Sequence, residues 1–522
     1  MGGREMHSRL LRSRKTIAWA VLVTVSAMTL AACSGAGTSA PSGVLRVGFD
    51  FASDFTNTFD PAKSSGNCDD IITSPIYDTL IHISAGGQLE PGLLTSWSLK
   101  GDTIILHIRP GVTFSNGEPF NASAVKLGLL HNKTNSTLTD LALINSIDVL
   151  NPLTVKINYA NTSGIELLYG VTGREGEIPA PDDLTKANMD PIGAGPFEFI
   201  SYSPGSELVL KANPTYWDKS VYHLSGVDYI QVTVGPPSVA AVEAGSIDMA
   251  EFLADSYASV KSNSSLGVAV SQSTAYLEFQ FRFTSPFDNL LVRKAVEYAL
   301  NRSELNKVVN DGQGEVANQP LPSDSPGYNP TVANLYPYDP SKAEQLLAQA
   351  GYKAGDGPAI DMVIPSGVAA MEQQGDILQS ELDAVGFRVS ITQIQGSNVE
   401  ADYYISRTGN AFAAERLGDP YPPDQLYGEF GEYQFVAIYN DGQNQGLTTQ
   451  LLDAFADGAT PQTWAITKNV EAYVMKNALD TPIAFVPQFE VYSKANVHGT
   501  VQAQTDICNP PDLTGITSVS GS

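Results

Sequence analysis

The sequence predicts an α/β fold. Short β-branched or aromatic runs bounded by Gly, Pro or Asn recur along the chain, and capped, 3.6-periodic segments lie between them. The 522 residues are 43% hydrophobic and only 16% charged, enough for a large core and for two or more lobes.

The chain opens with a basic stretch carrying Arg4, Arg9, Arg12, Arg14 and Lys15, followed by an apolar segment from Thr16 to Leu30. That segment is shorter than the roughly 20 residues that a spanning helix needs, and the order of the two reads as an export signal. The tetrad Leu30-Ala31-Ala32-Cys33 closes it and resembles the lipobox of bacterial lipoproteins. The resemblance implies a signal peptide over 1–32, lipidation of Cys33 and a mature chain tethered outside the membrane. Residues 33–43 then form a Gly/Ser/Ala/Pro linker, a flexible spacer between anchor and body.

The body begins with LRVGFDF from Leu45. Further strand-like runs are TIILHIRP (103–110), TVKINY (154–159), ELVLKAN (207–213), VDYIQVTV (227–234) and YLEFQFRF (276–283). AIDMVI (359–364), FRVSITQI (387–394) and AFVPQFEVY (484–492) complete the set. Among the helices, Asp288 opens DNLLVRKAVEYAL, with Val292, Ala295, Val296 and Ala299 on one face. Asn301 with Glu304 predicts a capping box at the start of NRSELNKVV, which ends at Gly312. Asp339-Pro340 predicts a capped start, Ala343, Leu346, Leu347 and Ala350 a buried stripe, and Gly351 a stop.

The charge balance is 30 basic against 56 acidic residues, net −26. Residues 1–32 hold five of the bases and one acid, so the processed chain stands at 25 against 55, net −30. Such a surface repels nucleic acid and anionic lipid. After Cys33 only Cys68 and Cys508 remain. In an oxidising compartment they form either one long-range disulfide or two free thiols. No G-x-S-x-G, H-E-x-x-H, phosphate loop or G-x-G-x-x-G occurs, and six scattered histidines show no helical ligand spacing. Nothing in the sequence points to an enzyme, a cofactor or a bound metal.

Several segments in series resemble the extracytoplasmic solute-binding proteins of ABC importers, in the peptide/nickel (oligopeptide- and dipeptide-binding) family. They are Asp60-Pro61, PIYDTL (75–80), Pro91-Gly92-Leu93 with Ser96-Trp97, and above all LHIRPGVTFSNGEPFNASAV (106–125). Downstream come PIGAGPFEF (191–199), NPTYWD (213–218), VRKAVEYALNRSEL (292–305), YDPSKAEQLLAQAGY (338–352) and PIAFVPQFEVY (482–492). Asn116 and Ser123-Ala124 replace acids usual in the 106–125 signature.

The resemblance implies a two-lobed periplasmic-binding-protein-like (type II) fold with an extra subdomain on the first lobe. Lobe 1 is expected over 44–75, 191–282 and 483–522, the subdomain over 76–190 and lobe 2 over 283–482. A Cys68–Cys508 bridge then falls within lobe 1. The implied function is a monomeric receptor that captures a small solute, a peptide first of all, by hinge closure and delivers it to ABC permease transmembrane subunits. A metal chelate, haem, an opine or an oligosaccharide is the alternative cargo; a secreted lipoprotein hydrolase is a more distant one. In RLGDPYPPDQLYG (416–428), Asp419 aligns with the aspartate that pairs with a peptide's α-ammonium in this family. An Asp-Pro turn explains the same residue without a ligand. Tyr403, Tyr404 and Arg407 either line the cleft or pack as strand residues, and Arg407 or Arg416 is available for a ligand carboxylate. Arg282-Phe283 stands where the family often has asparagine, which puts the usual ligand backbone contacts in doubt.

Overall fold

A computed structural model describes residues 42–520 apart from 65–67, 85–87, 136–137, 161–163, 367–368, 396–397, 417, 420, 431–444, 458 and 504–509. The export signal, Cys33, most of the linker and Cys508 lie outside the described residues.

Among the described residues, ten strands make one mixed sheet. In chain order they are β1 (Ser42–Phe49), β2 (Phe197–Ser203), β3 (Glu207–Ala212), β4 (Leu224–Gln231), β5 (Met249–Glu251) and β6 (Leu266–Phe281). They continue with β7 (Ala359–Ser366), β8 (Arg388–Gln395), β9 (Ala411–Arg416) and β10 (Pro482–Ser493). Their spatial order is β8-β7-β9-β6-β10-β5-β1-β4-β3-β2. The long antiparallel pair β6·β10 divides the sheet, with register from Leu266↔Ser493 to Glu278↔Pro482. β5 pairs with the far end of β10, and β9 with the last six residues of β6, so each wing hangs on a different part of the same two-strand ribbon.

Several strand boundaries differ from the sequence reading, and two of them have a clear cause. β1 starts at Ser42, because Ser42 and Val44 already pair with Leu224 and Gly226, so the linker ends earlier than expected. β6 starts ten residues before Tyr276. LGVAVSQSTA lacks strand-forming bulk, but the β10 ladder supplies its backbone partners.

Helix α1 (Asp70–Tyr77) packs beside the first wing. A separate antiparallel sheet of 94–100, 103–108, 154–159 and 144–151 carries helix α2 (Ala122–Asn132), whose Asn121 side chain caps two backbone N–H groups. This region has its own core, from Leu80 to Ala194. A second core joins Leu45, Phe49 and Ile72 to Val497, Ile516 and Val519 from the far end of the chain. A third covers the other wing through Phe279, Val292, Leu346, Leu378 and Ile483.

The third core rests on helices α3 (Leu290–Ala299), α4 (Arg302–Val309), α5 (Pro340–Gln349) and α6 (Ala369–Ala384). All four predicted apolar positions of α3 are buried, but its cap is Asn289, not Asp288. Asn301 caps α4 through the Glu304 N–H as predicted. The reciprocal half of the box comes from elsewhere: the Asn301 N–H donates to Glu381 of α6 at 2.9 Å. Asp339 caps α5 at 2.9 Å from the Lys342 N–H, and Gly351 stops it at φ +98°. Helices α7 (Pro422–Phe430), α8 (Gln445–Asp457) and α9 (Pro461–Lys476) close this side.

Candidate ligand-binding cavity

Of the segments that carried the family resemblance, those between 75 and 218 meet in one structural knot. The Asp78 carboxylate accepts hydrogen bonds from the Tyr216 hydroxyl at 3.0 Å and the Trp217 indole at 2.9 Å, and holds His82 at 2.6 Å. The Arg109 guanidinium lies 3.7 Å over the Trp217 ring while its Nε donates to the Gly92 carbonyl. Asn213 donates to the Gly195 carbonyl at 2.8 Å. Gly193 and Gly195 run so close to α1 that an added Cβ would meet the Ile76 carbonyl at 2.1 Å and the Pro75 carbonyl at 2.5 Å. These residues fix the frame and leave little for a solute to hold.

Against this frame lies a cavity of about 740 Å³. Its walls come from α1, from 78–83 and Glu90, from 169–175, from 196–197, from 502–503 and 510–514, and from Gly418, Asp419 and Asp424 near the start of α7. The volume falls within the roughly 300–1,000 Å³ of small-ligand sites. The charge of the lining is one-sided: Asp70, Asp78, Glu90, Glu175, Asp419, Asp424 and Asp512 face His82 as the one basic side chain among the lining residues. Asp78 is spent on the knot. Asp512 is spent on its own loop, accepting from the Thr514 backbone N–H at 2.8 Å and from Gln502 at 2.8 Å.

The electrostatics follow from confinement. Burial pushes Asp70 up to about 6, with Arg174 opposing and Asp69 adding to the shift. Burial likewise pushes Glu175 to about 7. Burial, then Asp419 and Glu166, hold Asp424 well above the carboxylate range. Burial lowers His82, but the adjoining Asp78 carboxylate outweighs it and keeps the imidazole above its ordinary value.

Of the five residues singled out as ligand contacts, Asp419 lies on this wall, half-buried, its Oδ1 accepting the Tyr421 backbone N–H at 2.7 Å. Nearby Tyr421 is fully buried and stacks on Tyr169 at 4.0 Å and 14°, which pins the entry to α7 to the core that runs from Leu80 to Ala194. The other four do not line the cavity. Tyr403 does not face a cleft: it is 0% exposed, packed on Phe412 with the Arg282 guanidinium 4.1 Å over its ring. Arg282 thereby finds its place, its backbone N–H on the Asn410 carbonyl and its Nε on that of Gly409. The Tyr404 hydroxyl donates to Gln280 at 3.2 Å. Arg407 is exposed at φ +58°, and Arg416 is partly buried with Nε 4.0 Å from a Glu429 oxygen. Cys68 is disulfide-bonded, and both other cysteines lie outside the described residues.

Sequence reasoning missed Asp70, Glu175 and Asp424 as cavity residues. They come from distant segments, and a chain with 56 acids offers no local signal that singles them out.

The family model described as "Bacterial extracellular solute-binding proteins, family 5 Middle" matches residues 88–435. Among curated relatives, the glutathione-binding protein GsiB of Pectobacterium atrosepticum is 27% identical over 399 residues, 74% of each chain. The heme-binding protein A of Haemophilus influenzae is 27% identical over 322 residues, 54% of this chain and 57% of that one. Two solved structures share the fold: NikA from Brucella suis in complex with Fe(III)-EDTA (TM-score 0.79, 20% identity, 91% of this chain and 99% of that one) and DppA from Helicobacter pylori in complex with peptide STSA (0.74, 20%, 92% and 99%). At that identity they establish the two-lobed α/β architecture alone.

Proposed function

Because the chain belongs to the bacterial extracellular solute-binding proteins of family 5, non-enzymatic extracytoplasmic receptors of ABC importers, we propose that it captures oligopeptides or dipeptides and hands them to a membrane permease. The observation that carries the peptide reading is Asp419 on the wall of an acid-lined cavity. A free α-ammonium entering there meets a carboxylate already oriented by its own backbone turn. The same lining disfavours solutes rich in carboxylates, for which no unengaged base stands among the lining residues.

Closure works through the β6·β10 ribbon, the connection shared by the two wings, with the Tyr169–Tyr421 stack as the contact made when they meet. A ligand stabilises that state only by binding it better than the open one. We assign lobe 1 to 44–75, 191–282 and 483–522, the subdomain to 76–190 and lobe 2 to 283–482. The body hangs from a lipid on Cys33, with Cys68 bonded to Cys508. Native mass spectrometry of residues 34–522, followed by identification of released compounds, tests the cargo. Co-purified peptides support the reading, whereas a single non-peptide compound overturns it and leaves the receptor role intact.

A further inference from the structure

A second polar site is built on β6, α7 and the start of β10, and none of its carboxylates is among the cavity-lining residues. Glu278 on β6, Glu429 on α7 and Asp480 just before β10 are 1–2% exposed, and one carboxylate oxygen from each lies within 4.8 Å of the other two. Arg416, directly across from Tyr276 in the β6·β9 ladder, is the counter-charge, its Nε 4.0 Å from Glu429 Oε2. The Tyr276 hydroxyl is 2.7 Å from that same oxygen and 3.0 Å from Asp480 Oδ2, yet has one proton to donate. Among the described residues no N–H or hydroxyl reaches Glu278 Oε2, and the Glu278 carboxyl lies against that of Asp480. Glu471 on α9, fully buried and under the field of Glu429 and Asp480, has only the Leu321 backbone N–H close to its carboxylate among the described residues.

Four buried carboxylates against one guanidinium leave a large uncompensated charge if ionised, which a protein interior does not tolerate. We propose that this cluster is a buried binding site for a divalent hard cation, Ca²⁺ as the best match, held by Glu278, Glu429 and Asp480 with Glu471 completing the charge. The donor set is all oxygen, with no imidazole or thiolate, which suits Ca²⁺ and argues against softer metals. The ion ties β6, the start of β10, α7 and α9 together. Because α7 begins three residues after Asp419, it also steadies the loop that forms the cavity wall.

The test strips the mature protein with EDTA, dialyses it against Ca²⁺, and reads bound metal by elemental mass spectrometry and stability by thermal melting. The expected result is one Ca²⁺ per chain with a raised Tm, and affinity lowered by about tenfold or more in Glu278→Gln and Glu429→Gln. No retained Ca²⁺ and an unchanged Tm in the wild type overturn the site, as does uptake that both variants leave intact. Should a variant not fold, Tb³⁺ luminescence of the wild type decides. Emission sensitised through Tyr276 and quenched by added Ca²⁺ supports the site; absence of sensitised emission overturns it.

Discussion

At the residue scale the cavity makes two predictions. Asp419→Ala should weaken a peptide with a free N-terminus by about 10- to 100-fold, the equivalent of roughly 1.5–3 kcal/mol for a charged hydrogen bond. An N-acetylated peptide should lose much less, and calorimetry on the pair reads the difference; equal losses reject Asp419 as the ammonium partner. The second concerns pH. Asp70 and Glu175 ionise near 6 and 7, above their ordinary values, so the cavity gains negative charge as pH rises from 5 to 8. A lysine-containing peptide should bind severalfold more tightly at pH 8 than at pH 5, releasing protons as it binds. Affinity that falls across that range contradicts the assignment. The place of Asp419 on the cavity wall was legible in the sequence because a short contiguous motif marks it. Asp70 and Glu175 were not, since only folding brings α1 and the 169–175 segment to one wall. Tyr403 shows the opposite limit: a tyrosine reads alike as a ligand platform or as core, and its complete burial under Arg282 selects core.

At the scale of elements, local chemistry was the most legible. α5 is bounded as its sequence states, with an Asp339 cap, Pro340 at the first position and Gly351 after the last turn. Asp339→Ala should therefore cost about 0.5–2 kcal/mol in denaturant unfolding, and a change within error would show that tertiary packing alone holds this helix. The α4 start was half legible. Asn301 caps as predicted, but its backbone N–H is taken by Glu381, some 80 positions away in sequence, which no window of residues shows. β6 was legible in its second half for its aromatic alternation and silent in its first, where the partner strand rather than composition makes the strand.

For the whole molecule, the contact that joins the entry to α7 to the core running from Leu80 to Ala194 should govern closure. Tyr421→Ala removes a stack worth about 0.5–1.5 kcal/mol beyond its buried area. The variant should bind solute more weakly and show a larger radius of gyration by X-ray scattering at saturating ligand. Compaction identical to wild type would mean that closure does not use the stack. The two-lobed plan itself was legible only through motifs in series. The motifs from 75 to 218 turn out to build the Asp78–Trp217–Arg109 knot and the later ones α3, α4, α5 and β10, which explains why they mark the architecture and say little about cargo.

The interleaving of β1 and β10 in one sheet also bears on how the protein is made. The core around Leu45 and Phe49 is completed by Val497, Ile516 and Val519, so the earliest body residues to cross the membrane wait for the last ones before their half can close. The helices and strands between 283 and 479 need no such delay, apart from the ribbon strands at their edges. Export should thus yield a nascent chain whose middle condenses first and whose ends stay open to proteases and chaperones until translocation finishes.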